Sequence, residues 1–98
     1  MAVTTKWQNN ETNELFKAIL KLKTSDECEM FFRDLLTLDE IKEFGKRFRI
    51  ARELYNSKKT YIEIAKESRS TTATVTRVAL WLKNGMGGYR LILERLFK

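Results

Sequence analysis

The chain has no proline, no histidine, a single cysteine and four glycines in 98 residues. Each scarcity excludes something. Without proline, nothing forces a helix to stop or kink, so uninterrupted helices joined by short turns are expected. Without histidine, the commonest general base and metal ligand is missing. Cys28 has no partner within the chain, which excludes an internal disulfide framework, and one cysteine cannot build a zinc site. A buried or half-buried thiol is the expectation for it. Acidic residues fall at helix starts and on helix surfaces, with no carboxylate pair that has a reason to titrate abnormally. An enzyme is therefore not expected, nor is a metal or cofactor. No apolar run approaches membrane-spanning length, and the start of the chain, MAVTTKWQNNET, lacks the apolar centre of a signal peptide. A cytoplasmic protein with no membrane partner is the expectation. Apolar residues are not scarce: 43% of the chain is hydrophobic and eleven residues are aromatic, enough to fold.

Charge is present but uneven. Residues 1–40 carry five Lys/Arg against eight Asp/Glu, whereas residues 41–98 carry fourteen against five, within a net charge of +6. A basic C-terminal half is the electrostatic footprint of a nucleic-acid binder, although a generic basic surface looks the same by itself.

The segment that coincides with this charge is Thr60–Leu82, TYIEIAKESRSTTATVTRVALWL. Thr60 and Glu63 have capping-box spacing, so the hydroxyl takes one free N–H of a helix start while the carboxylate reaches back to another. Ile62, Ile64 and Ala65 are expected to bury one face, with the small Ala65 allowing close approach of a second helix. Ser70 or Thr71 caps that second helix. Val75, Val78 and Leu82 then recur at i, i+3 and i+7 as its inward stripe. Thr72, Ala73, Thr76 and Leu80 lie opposite, with Arg77 at the edge. Two short helices around a tight turn, within residues 60–83, form a helix-turn-helix pattern. The turn of such a motif commonly holds glycine because one residue takes a positive φ; this chain has Arg69 there, followed by Ser70. An ordinary helical hairpin with a solvated polar face is the competing reading.

Six helices are expected in one domain of residues 1–98, all-α, without strand alternation or repeat. Glu11–Leu22 presents a wide apolar face. Thr24 with Glu27 caps a second helix, in which Met30, Phe31, Leu35 and Cys28 turn inward. Thr37 with Glu40 caps a third that runs to Asn56, striped by Ile41, Phe44, Phe48, Ala51 and Tyr55 and widened by Ile50 and Leu54. The motif supplies two more. Asn84–Gly88, NGMGG, stops the chain before a last helix, Tyr89–Phe97. It lacks the Lys-Ser/Thr ending of a phosphate loop and has no strand before it. The apolar surface of the first and last helices exceeds what so small a monomer hides, so a two-fold homodimer is expected, with two recognition helices about 34 Å apart.

From Leu36 to Lys83 the chain resembles the tryptophan repressor family without a gap, through LTLDE at Leu36–Glu40, GKRFRI at Gly45–Ile50 and TATVTR at Thr72–Arg77. The flanking KWQN at Lys6–Asn9, LFKAILKLKTSDEC at Leu15–Cys28, KKTYIEI at Lys58–Ile64 and GYRLILERL at Gly88–Leu96 resemble its YerC/YecD branch, a set of small bacterial proteins. The resemblance implies a six-helix, interlocked dimer whose outer helices wrap the partner, and operator binding by a transcriptional regulator, a repressor by its family. It also implies a corepressor pocket at Thr37, Arg47, Arg77, Val78 and Trp81. Thr37, Arg47 and Arg77 keep the family residue. Val78 replaces glycine and Trp81 replaces serine, and both add volume where a free amino acid would sit. Either Trp81 fills the pocket from within, or the pocket serves a different effector, or the indole faces solvent or partner. L-tryptophan is not expected to bind.

The sequence thus leads to a homodimeric reader of double-stranded DNA. Thr72, Ala73, Thr76 and Arg69 are the candidate base contacts. Lys58, Lys59, Lys66, Arg77 and Lys83 are the candidate phosphate contacts. The alternative is a helical protein-interaction module that keeps the fold and binds DNA weakly or not at all, favoured by the irregular Arg69-Ser70 turn and by Leu80 and Trp81.

Overall fold

A computed structural model describes residues 7–98; the first six, including the start of the Lys6–Asn9 segment, lie outside the described residues. Six helices follow in order: α1 (Asn10–Ile19), α2 (Ser25–Leu35), α3 (Leu38–Asn56), α4 (Tyr61–Glu67), α5 (Thr72–Asn84) and α6 (Gly88–Leu96). The described residues contain no strand. Two compact units divide the chain, one ending at Leu38 and one spanning Asp39–Lys98.

In the first unit, Asn9 and Thr12 close α1 with a reciprocal capping box, each side chain taking the other's backbone N–H at 3.0 Å. The helix ends at Ile19, short of the expected Leu22. Lys21 and Leu22 donate three residues back, to Ala18 and Ile19, and this tightened turn satisfies the last carbonyls. Thr24 caps α2 by accepting from the Glu27 N–H at 3.1 Å, but the Glu27 carboxylate binds the Lys23 N–H instead of completing a box. Trp7 meets Phe16 edge to face at 6.4 Å, and Phe31 meets Phe32 the same way at 5.4 Å. Neither helix has a buried residue. Met30, expected inward, is 68% exposed, and Leu20 and Leu35 are exposed with it. Cys28 is a half-buried free thiol.

In the second unit, Ile50 and Ala51 of α3, Ile64 and Ala65 of α4, Val75 and Val78 of α5 and Leu93 of α6 make one buried cluster. Phe48, Leu54, Leu82 and Tyr89 pack around it. The buried arc of α3 is centred nearer Leu54 than the row running through Phe44 and Tyr55. That row lies along its edge: Phe48 packs on the core, but the Phe44 and Tyr55 rings are exposed. Tyr55 stacks on Phe97 at 6.3 Å, and the Arg47 guanidinium sits 5.6 Å over the Phe44 ring. At the other junction, Gly85 caps α5 by donating to Trp81 O at 2.9 Å. A Cβ there would come 2.5 Å from that oxygen. Gly87 then takes φ 88°, a left-handed conformation, to start α6. Arg90 Nε donates to Leu82 O at 3.3 Å, covering one carbonyl that α5 leaves open at its end.

Candidate nucleic-acid interface

The segment Thr60–Leu82 folds as α4, a turn and α5. Thr60 and Glu63 form the reciprocal box: Glu63 N–H donates to Thr60 Oγ1 at 3.1 Å, and Thr60 N–H donates to Glu63 Oε1 at 2.8 Å. The Thr60 backbone donation first, and the Thr60 side chain after it, hold the Glu63 carboxyl below its ordinary value. A group depressed in this way stabilises the folded chain above its unfolded pKa, and that contribution disappears as pH falls through the folded value. The melting temperature of the native chain is therefore expected to fall on acidification through the carboxylate range, and Glu63→Gln to flatten that dependence. Equal pH profiles in thermal melts of the two proteins would contradict the assignment.

Ile64 and Ala65 of α4 and Ser68, which caps its end, are buried, but Ile62 is not; it is 71% exposed. It stands two positions before Ile64, about 200° around the helix. The buried Ser68 was not singled out from sequence. Its hydroxyl donates to Ile64 O at 2.7 Å, so it carries no unmet polar group into the core.

The turn is a Schellman motif. Arg69 N–H donates to Lys66 O at 3.2 Å and Ser70 N–H to Ala65 O at 2.8 Å, while Arg69 takes φ 56°. The arginine thus adopts the conformation that glycine usually supplies. Arg69→Gly relieves this conformation but loosens the unfolded chain, so a stability gain of up to about 1 kcal/mol is expected. If Arg69 also touches DNA, affinity falls in the same variant. Unchanged or improved affinity would remove the contact. Two bonds from α3 reach the carbonyls of this turn: Lys46 Nζ to Arg69 O at 3.3 Å and Arg49 Nη1 to Glu67 O at 3.2 Å.

Of the two candidate caps, Thr71 starts α5, accepting from Thr74 N–H at 3.1 Å. Val75, Val78 and Ala79 are buried and Leu82 is half-buried. Thr72, Ala73 and Thr76 share the exposed face of its first two turns, together with Arg77 and Leu80, and Arg69 is exposed at the turn before them. Lys58 and Lys59 lie in the loop before α4, Lys66 in the last turn of α4 and Lys83 in the last turn of α5. Lys59 differs from the others. Its ammonium binds Glu67 at 2.7 Å and Glu53 at 3.1 Å, the ion pairs found among the described residues. Those two bonds, Glu67 first, raise its pKa above the ordinary lysine value. Its charge is already answered within the fold, which makes it the weakest of the five phosphate candidates.

Arg47, Arg77, Val78 and Trp81 come together around a cleft of about 260 Å³, with Glu43 and Thr74 completing its lining. Val78 is buried, but Trp81 is 57% exposed and lines the cleft without filling it. The same indole borders a shallower depression with Gly85, Met86, Gly88 and Tyr89. Burial raises the Tyr89 phenol, with Arg47 pulling in the opposite direction. Thr37 precedes α3 in the other unit. Glu43 and Thr74 escaped the sequence reading, although helical spacing marks both: Glu43 is four residues before Arg47, and Thr74 three before Arg77.

The arrangement matches known proteins along almost its whole length. The family described as Trp repressor protein matches residues 10–97. The chain belongs to the Trp repressor family. It is 38% identical over 91 residues to the uncharacterized protein YerC of Bacillus subtilis (strain 168), covering 93% of this chain and 86% of YerC. The crystal structure of a TrpR-like protein from Eubacterium eligens ATCC 27750 superposes with a TM-score of 0.87 at 40% identity, over 93% of each chain. Another crystal structure, from Staphylococcus aureus, gives 0.85 at 38% identity, over 93% of this chain and 90% of its own. The six-helix architecture is thus that of Trp repressor-like proteins, and membership in this family points to a DNA-binding regulator. No helix among the described residues is long and apolar enough to cross a membrane.

Proposed function

We propose that the protein is a homodimeric, sequence-specific regulator that binds double-stranded operator DNA and represses transcription. The observation that carries this reading is the start of α5. Small hydroxyl and methyl groups at Thr72, Ala73 and Thr76 are exposed there, behind a hydrogen-bonded turn and beside cations that no carboxylate answers among the described residues. Small side chains let a helix approach base edges, and the unpaired cations Lys58, Lys66, Arg77 and Lys83 suit phosphates. Exposed apolar side chains on α1, α2 and α6, including Phe16, Met30, Leu91 and Leu96, and Leu20 just after α1, support pairing with a second copy.

A mobility-shift titration on random duplex DNA, repeated across a salt series, tests the reading. Binding that weakens steeply with salt is expected. No shift at low salt would leave the interaction module, for which exposed Leu80 and Trp81 are the supporting observation.

The regulator does not use L-tryptophan as its signal. The β-branched Val78 and the indole of Trp81 both stand at the cleft, and Glu43 adds a carboxylate to its wall. Calorimetric titration with L-tryptophan is expected to give no binding heat, and a micromolar dissociation constant would refute this.

A further inference from the structure

We propose that Lys46 and Arg49 of α3 form a second phosphate-binding site, at the α4–α5 turn, which grips the DNA backbone beside the recognition helix. The proposal rests on the DNA-binding reading above and extends its contact surface to an element outside the helix-turn-helix.

Lys46 and Arg49 are three residues apart on α3, so they share one edge of the helix. Both side chains reach the same turn, one to the carbonyl of Arg69 and the other to that of Glu67. Arg69 is exposed at that turn and carries a third positive charge. No carboxylate pairs with any of the three among the described residues, since the ion pairs there belong to Lys59. Part of the convergence is explained by the end of α4, whose carbonyls carry partial negative charge. That explanation accounts for one donor on each side chain. An ammonium has three donors and a guanidinium five, so most of their hydrogen-bonding capacity remains open.

The carbonyl bonds also set the geometry. They fix two long side chains whose ordering would otherwise oppose binding, and so lower the entropy lost when an anion arrives. The turn they grip leads through Ser70 directly to Thr71, the cap of α5. An anion at this edge is thereby tied to the position of the recognition helix. A DNA phosphate meets the requirement: it is anionic, offers several acceptor oxygens, and recurs along the duplex next to any groove that α5 enters.

The test separates charge from bracing. Lys46→Gln/Arg49→Gln removes both charges and leaves a shorter neutral donor on each side chain, so folding controls report any loss of bracing separately from the loss of charge. Anisotropy titrations of a short random-sequence duplex across a salt series compare this variant with the native chain and with Lys46→Arg/Arg49→Lys, which keeps both charges. Circular dichroism and thermal melts accompany each. The Gln variant is expected to keep its helix content and to bind more weakly. The slope of log affinity against log salt should be shallower by about two units for each protomer on the DNA. The charge-keeping variant should retain the native slope. A Gln variant with the native slope overturns the proposal and leaves Lys46 and Arg49 as braces of the turn, while the DNA-binding reading stands. A native chain that fails to bind the duplex at low salt overturns both. Should the Gln variant lose helix content, the single variants Lys46→Gln and Arg49→Gln decide, each expected to remove about one unit of slope.

Discussion

Alanine at both Thr72 and Thr76 is expected to abolish most of the protein's preference for its operator while leaving its affinity for random duplex unchanged. Each good contact to a base edge contributes roughly 1–3 kcal/mol of discrimination, so losing two should reduce operator preference at least tenfold. Folding should not suffer. Both residues are exposed on α5, Thr71 retains the capping bond to the Thr74 N–H, and alanine is the better helix former. Lys66→Ala provides the contrast. Lys66 is exposed at the end of α4 with no ion pair among the described residues. Its loss should weaken binding to every sequence alike and make the salt slope shallower by about one unit. Binding curves on a selected operator and on random duplex distinguish the two behaviours. If both variants lost affinity uniformly, the division between base and phosphate contacts would be wrong.

What could be read from the chain alone was chiefly what short-range chemistry decides. The Thr60–Glu63 box, the Thr24 cap, the start of α5 and the positive φ at Arg69 each depend on residues within a few positions of one another, and each occurs in the structure. The family resemblance carried the architecture further than periodicity could. Rotational setting was harder. α4 has seven residues, too few to tell the face of Ile64 from that of Ile62, and α3 carries apolar residues on adjacent rows, so Phe44 and Tyr55 look as inward as Ile50. Met30 failed for a different reason: an apolar residue on an amphipathic helix says nothing about whether its own unit or a second copy covers it. Contacts between distant positions left no local trace either. Lys46 reaches a carbonyl 23 residues along the chain and Arg49 one 18 along, and a surface cation whose partner is a backbone oxygen looks like any other cation in sequence. The cleft is intermediate. Four of its lining residues followed from the resemblance, but the position of the Trp81 indole depends on packing around the α5–α6 junction.

Ile50→Ala should produce the largest loss of stability among single truncations. Ile50 is fully buried and belongs to the cluster that joins α3 to both helices of the reading pair and to α6. Truncating a buried isoleucine costs about 2–5 kcal/mol, through lost burial and the cavity left behind. That is a large fraction of the roughly 5–15 kcal/mol that holds a typical domain folded. The urea midpoint should fall with little change in slope, because the surface exposed on unfolding is nearly the same. Ile62→Ala removes the same side chain type from an exposed position of α4 and should cost no more than about 0.5 kcal/mol. A comparable loss in both variants would place the core elsewhere. The comparison also bears on function. Ile50 touches the same cluster as Val75 and Val78, the residues that seat α5, so its loss should lower operator binding by depleting the folded population without altering the ratio of operator to random affinity. Thr72 and Thr76 should change that ratio and leave the midpoint alone. Opposite signatures from one buried and two exposed positions would separate the helix that reads from the core that holds it.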